Sequence, residues 1–248
     1  MSNTTDLVVC GAGIVGVAAA YHLVVQQGIK QVVLIDERVP LSLTSAYGTE
    51  AYRNWWPGPD GTMVQLMQRS INWMETLAKE SGNVGRMNQR GYVHFTADPG
   101  QIPVIRHQAE IISCFGAGDL RIHPGPEPYR PAVPDNMDHL VTGADLILDV
   151  EQIISSYPFI NPDVVAMLHA RRCGFIDVQS LGKWMMARMA DHGGRIMRDR
   201  VIAVEVKNNR IESVTLQSGT KLITGQLVLA AGPMLQEMGK LLHLNIPV

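Results

Sequence analysis

The first forty residues alternate between stretches that exclude polar side chains and stretches built for turning. Residues 7–10 (LVVC) are an apolar run that stops at Gly11, and residues 31–37 (QVVLIDE) enclose a second one. Short apolar runs bounded by glycine or polar residues predict strands of a parallel sheet buried on both faces, since such strands have no solvent side on which to alternate. Between them, residues 14–27 hold no breaker except Gly16 and predict a helix that stops at Gly28. Together they make a β-α-β unit, whose crossover is right-handed in nearly all proteins.

The pattern dissolves over residues 38–61, which carry three prolines, three glycines and no clean period. A long loop of this kind inside a compact domain is usually functional. Periodicity returns over residues 63–80, where Met63, Leu66, Met67, Ile71, Met74 and Leu77 fall mostly three and four apart and predict a helix. Residues 91–97 alternate as a strand, 102–114 read as helix, and the five prolines within 123–138 predict a loop. A strand end and short helix follow at 146–157, then a helix at 181–190 closed by Gly193 and Gly194. Strands at 201–206, 210–216 and 221–222, joined by the tight turns KNN and QSGT, predict a β-meander. A last apolar strand, 227–230, runs into Gly232 and a helical stretch, repeating the strand-glycine-helix order of the amino terminus.

Composition narrows the class. With 46% hydrophobic and 18% charged residues in a chain of 248, this is an ordinary globular sequence, and a net charge of −2 gives no reason to expect nucleic acid or an anionic membrane as partner. The three cysteines are odd in number and lack metal-ligand spacing, which predicts free thiols in a reducing compartment and no metal. No secretory signal is evident, and the longest apolar stretch, 14–25, is too short to span a bilayer and contains His22. The expectation is a cytoplasmic α/β protein.

Gly11, Ala12, Gly13, Ile14, Val15 and Gly16 form a G-x-G-x-x-G between the first strand and the helix. Gly11 permits the tight turn, Gly13 lets a pyrophosphate approach the backbone, and Gly16 lets helix and strand pack closely. The helix amino terminus offers unpaired N–H groups and the positive end of its dipole to phosphate. Asp36, at the end of the second strand, offers a carboxylate to a ribose diol. Glu37 is the substitute for that contact, but neighbours on a strand point to opposite faces, so one of the two is expected to serve. Arg38 is placed to neutralise the adenosine side. These residues predict dinucleotide binding, and the motif alone does not separate FAD from NAD.

Four segments in this order carry a family resemblance: the β-α-β unit, the loop TSAYGTEAYRNWW, residues 157–206, and the closing LVLAAGPMLQEMGKLLHLNIPV. Together they resemble the amino-terminal part of the D-amino-acid oxidase superfamily of FAD-dependent oxidoreductases, in the branch of sarcosine oxidase, glycine oxidase and dimethylglycine dehydrogenase. The resemblance implies a Rossmann-like α/β FAD-binding domain with a β-meander, plus the beginning of an inserted substrate-binding α+β domain. The segments it implies are 1–86 and 149–248 for FAD and 87–148 for substrate. It also implies FAD as cofactor and oxidation of the C–N bond of an amino acid or a secondary or tertiary amine by hydride transfer to flavin.

By the same resemblance, Thr44 and Ser45 lie in the loop touching the pyrophosphate and ribitol, and the backbone of Val201 meets the adenine. Ala230, Ala231 and Gly232 form the strand end against the cofactor. Arg53 falls where such enzymes place a basic residue near flavin and substrate carboxylate; it and His94 are the catalytic candidates, with a hydrogen-bonded structural role as the alternative for His94. Trp55 and Trp56 are read as split between core and surface, with a pocket wall as the alternative. Family members continue past the segment matching LNIPV, so the resemblance implies a C-terminally truncated product or one completed by a second chain, with weak FAD retention and little activity alone. Two other readings stand beside the enzyme: a non-catalytic dinucleotide-binding subunit that needs a partner, and a nicotinamide-dependent dehydrogenase, against which the meander argues.

Overall fold

The structure, a computed structural model, describes residues 3–125, 129–133 and 141–247. In chain order, the first elements are β1 (Leu7–Cys10), α1 (Ile14–Tyr21), β2 (Val32–Asp36) and α2 (Thr44–Tyr47). Next come β3 (Ala51–Arg53), α3 (Thr62–Ser81), β4 (Tyr92–Thr96), α4 (Gln101–Ile112), β5 (Leu120–His123), β6 (Ala144–Ile147), α5 (Val150–Ser156), β7 (Ala166–Ala170) and β8 (Cys173–Phe175). The last are α6 (Val178–Asp191), β9 (Arg195–Arg198), β10 (Val201–Lys207), β11 (Arg210–Leu216), β12 (Lys221–Ile223), β13 (Leu227–Leu229) and α7 (Leu235–Lys240). The chain divides into two compact units, one formed by Met1–Gly48 with Val178–Val248 and the other by Thr49–Asp177.

The first unit is layered around a parallel sheet in the order β13-β1-β2-β9. Alternation along the strands sends Val8, Cys10, Val33 and Ile35 to one face, where they pack on Val201, Val214, Leu216 and Leu222 of the antiparallel meander β10-β11-β12. Leu7, Val9, Val32 and Leu34 are buried too, facing the side on which α1 and α6 pack together. Both faces of the central strands are therefore covered, and this is why their sequences show no polar alternation. Tyr21 of α1 meets Trp184 of α6 with ring centroids 5.5 Å apart. Beyond Tyr21 the helix widens into a π-helical turn, His22–Gln26, whose Gln27 amide donates to the His22 carbonyl at 2.9 Å, and it stops at Gly28 with φ +72°.

The second unit is built on the mixed sheet β4-β7-β6-β5, with a small antiparallel pair β3-β8. One face of the mixed sheet, carrying Ala144, Leu146, Leu168 and Ala170, packs on Trp55, Val64, Ala109 and Ile112. The opposite face sets Ile147 and Met167 against Ile153 and Tyr129, and it also carries a polar group. There Asp145, 2% exposed, accepts two hydrogen bonds from Arg121 (2.7 and 2.9 Å), one from His123 Nε2 (2.9 Å) and one from Arg171. Burial works against ionisation of this carboxyl, yet the three donors outweigh it and hold it well below the usual carboxylate range. His169, fully buried, accepts from the Tyr129 hydroxyl at Nδ1 (2.8 Å) and donates from Nε2 to the Arg90 carbonyl (3.1 Å). Burial, and then the charge of Arg171, push its pKa down to about 4.

Several elements differ from the sequence expectation. The stretch 38–61 is not structureless, since it contains α2 and β3. Besides β3, four strands escaped the reading: β5 (LRIH) and β9 (RIMR) carry arginines on sheet edges, β7 (AMLHA) has weak strand formers, and β8 (CGF) is three residues with a central glycine. Residues 126–128 and 134–138 of the expected proline-rich loop lie outside the described residues. The compact units part near residues 48 and 177, with Val64 of α3 buried in the core of the mixed sheet; the expected segments 1–86, 87–148 and 149–248 concern roles toward cofactor and substrate, a separate matter.

The buried polar group carries a pH signature. An unfolded histidine titrates near 6.5 and His169 near 4, so the unfolded chain binds more protons between those values and stability falls as pH drops through that window. The contribution of Asp145 is present above the unfolded carboxylate range and is lost as pH falls below it. Urea midpoints measured against pH should decline from about pH 6.5 to about 4 in the wild type and flatten in His169→Gln. Asp145→Ala leaves Arg171 buried without its anion and should cost about 3–5 kcal/mol at neutral pH.

Candidate functional site

At the carboxyl ends of β1 and β2 the backbone turns so sharply that two positions have no room for a side chain. Gly11 has φ +106°, and a Cβ there would overlap the Ala230 carbonyl at the end of β13. A Cβ on Gly16 would overlap the Gly11 carbonyl. Glycine at both positions lets α1 start directly against the strand ends. The turn is then held by side chains from distant segments. Asp36 accepts the Ala12 amide at Oδ2 (2.7 Å) and the Arg38 amide at Oδ1 (2.9 Å). Ser45 accepts the Ile14 amide at 2.9 Å, satisfying one of the orphan donors of the first helical turn. Ser45 is itself anchored, since Gln179 of α6 donates to its carbonyl at 3.0 Å and to that of Leu41 at 2.9 Å.

This turn opens into a groove at the carboxyl ends of the parallel strands. Gly11, Ala12, Gly13, Asp36, Glu37, Arg38, Val201 and Ala231 all line it, bringing together residues read separately from the sequence. Glu37 lines it alongside Asp36 because β2 ends at Asp36, which frees the next residue from strand alternation. Ile14 and Ser45 stand beside the groove through their shared hydrogen bond, and Gly16 is buried beneath the turn. Val15 is 70% exposed, Thr44 is exposed at the start of α2, and Gly232 is exposed where a short 3-10 turn begins. Ala230 contributes backbone, its amide donating to the Cys10 carbonyl at 2.7 Å.

Other lining residues were not singled out from the sequence: Leu41 to Leu43, Asp199, Arg200, Met234, Glu237 and Met238. Arg200 adjoins Val201 and was within reach of the same reasoning. The α7 residues carried no such signal, since their approach depends on how the chain turns after β13. Cys10 also lines the groove, but burial, followed by the charges of Asp36 and Glu37, pushes its thiol up to about 12.

The two catalytic candidates lie in the second unit. Arg53, at the end of β3, stacks its guanidinium over Trp56 (3.9 Å to the ring centroid) and lies 5.7 Å from the ring centroid of Tyr92. Its own carbonyl accepts from Trp56 Nε1 at 2.9 Å, so the turn fixes the stack. Trp55 is buried in the core and Trp56 is partly exposed, the split expected of the pair. His94 stands exposed on β4, and what shelter it has, followed by the charge of Arg53, lowers its pKa. Among the described residues there is no cluster of His, Cys, Asp and Glu able to hold a metal, and no helix is long and apolar enough to cross a membrane.

The family model described as FAD dependent oxidoreductase matches residues 6–248. Human mitochondrial dimethylglycine dehydrogenase is 24% identical, the match covering 99% of this chain and 25% of that protein. Among solved structures, L-proline dehydrogenase from P. horikoshii superposes with TM-score 0.79 at 20% identity, over 100% of this chain and 58% of its own. Glycine oxidase from Bacillus cereus gives TM-score 0.73 at 15% identity, over 96% and 58%. The chain thus spans about a quarter of the curated relatives it matches and little more than half of the solved ones.

The glycine turn makes a direct demand on sequence. Gly16→Ala should destabilise the chain by about 3 kcal/mol in a denaturant titration, because the obstructing atom is backbone and cannot swing away. Gly225→Ala, where a methyl meets open space, should be close to neutral in the same assay. With the family match running from the first strand through the last, and the groove built from residues at both ends of that span, the chain belongs to the FAD-dependent oxidoreductases of the D-amino-acid oxidase family, whose cofactor is FAD.

Proposed function

We propose that the groove takes the ADP half of FAD, and that the chain supplies the cofactor-binding part of an enzyme oxidising the C–N bond of an amino acid or a secondary or tertiary amine. The observation that carries this is the convergence of Gly11, Gly13, Asp36, Val201 and Ala231 on one groove. In this reading the pyrophosphate lies at the amino terminus of α1, where N–H groups and the helix dipole favour anions. Ser45, which accepts the Ile14 amide, still has its O–H to donate to a phosphate oxygen. Asp36 keeps lone pairs for a ribose diol while its two backbone bonds fix its direction. The backbone of Val201 borders the adenine, and Ala230, Ala231 and Gly232 border the cofactor from the other side. FAD, when bound, supplies the hydride-accepting chemistry of the reaction.

On the substrate side, Arg53 is the residue for a carboxylate. Its guanidinium is held by aromatic faces, makes no ion pair with any described residue, and keeps its edge donors for a bidentate partner. The names of the relatives, dimethylglycine and L-proline dehydrogenases and glycine oxidase, point to the same substrate class. In this reading segments 1–86 and 149–248 serve FAD, 87–148 serves substrate, and a second chain or further sequence completes the pocket. The three free cysteines suit a reducing compartment, the cytoplasm in the simplest case.

The visible spectrum of the purified protein, with FAD added where the chain has lost it, tests the cofactor. Flavin absorbance retained close to one equivalent establishes FAD, and a colourless protein that binds NADH overturns the reading. Asp36→Ala should weaken FAD binding about tenfold, measured by quenching of flavin fluorescence on titration.

A further inference from the structure

The far end of the groove is crossed by an ion pair that none of the roles above uses. Arg200 Nη2 donates to Glu237 Oε1 of α7 at 2.8 Å, and Arg200 Nη1 lies 3.9 Å from Glu37 Oε2 just after β2. One guanidinium therefore joins three segments remote in sequence: the end of β2, the start of the meander and the terminal helix. Its backbone is fixed on both sides, the amide donating to Asp199 Oδ1 at 2.7 Å and the carbonyl accepting from Gln217 at 2.8 Å. Arg200, Val201, Glu237 and Met238 line the groove of Gly11 and Asp36, and they also line a second, adjoining hollow. The pair thus stands on the rim between the two spaces, next to Val201.

We propose that Arg200, tethered by Glu237 and Glu37, is a positioning residue that closes the groove over the purine of the bound cofactor. The inference rests on the reading that this groove takes the ADP half of FAD. Glu237 accepts a hydrogen bond from one edge nitrogen and Glu37 lies near another, and a guanidinium held by its edge can offer its flat face to a π-system, a contact that lysine cannot reproduce. The side chains of Arg200 and Glu237 remain 44% and 57% exposed, so the pair is weak and screened by salt. It can open to admit a nucleotide and shut again once the base supplies the missing face. The tether also couples cofactor retention to the seating of α7, whose Met238 is buried against the meander and the parallel sheet.

The test uses the full 248-residue chain with FAD and ADP as probes. R200A and E237A should raise the Kd of both by about fivefold, while the thermal midpoint of the unliganded chain stays in place. Added salt should weaken FAD binding more in the wild type than in R200A. R200K, which keeps the charge without the plane, should regain the salt dependence and only part of the affinity. Affinities for FAD and for ADP that are unchanged from the wild type in R200A and E237A overturn the proposed role of Arg200 and leave the cofactor reading standing. A wild type that binds neither probe overturns both.

Discussion

The arrangement of the first unit turns on one close approach, that of the Gly11 backbone to the end of β13 and to Gly16 at the start of α1. At Gly11 the chain leaves β1 with a positive φ, and the space a side chain would fill belongs to the Ala230 carbonyl. At Gly16 the same space belongs to the Gly11 carbonyl. Only because both positions lack a Cβ can the helix begin where the strands end, which aims its first-turn amides along the open edge of the sheet. The same contact brings the carboxyl-terminal strand beside the amino-terminal one, with Val8 paired to Leu227 and Cys10 to Leu229. Residues more than two hundred positions apart therefore share one groove.

Around that turn, polar groups do what apolar packing cannot. Asp36 and Ser45 are brought in from other segments to satisfy the amides of Ala12 and Ile14, so that the loop keeps its shape without being filled. Asp145 plays a comparable part in the other unit, where a single carboxylate gathers Arg121, His123 and Arg171 on the face opposite the aliphatic core. The two acids differ in setting. Asp145 is enclosed and matched by cations, which makes it a structural element sensitive to acid. Asp36 stands at the rim of an open groove, bonded only by backbone amides, and so has capacity left for a ligand.

The parallel sheet was legible because its strands are buried on both faces. LVVC and VVLI admit no other reading once they flank a glycine turn and a helix, and the meander announced itself through its tight turns. The strands missed were those whose burial comes from neighbours. Arg121 sits on β5 because Asp145 lies directly across from it in the register, and β9 exists as an edge partner to β2 despite its arginines. Pattern alone assigns such segments to loop, since the reason for their extension lies on another strand.

The sequence by itself determined that the chain carries a dinucleotide turn, an acid at the end of the next strand and a family order of segments, because each is local or depends on spacing along the chain. It named part of the groove, Gly11 to Gly13 and Asp36 to Arg38 from the motif and Val201 and Ala231 through resemblance. Tertiary structure alone decided that Asp36 spends its carboxylate on the Ala12 and Arg38 amides, that Glu37 turns into the groove, and that Arg200 meets Glu237 across it. These depend on where β13 delivers the chain after pairing with β1. That pairing is set by burial of one sheet between two layers, a condition that no short window of sequence contains.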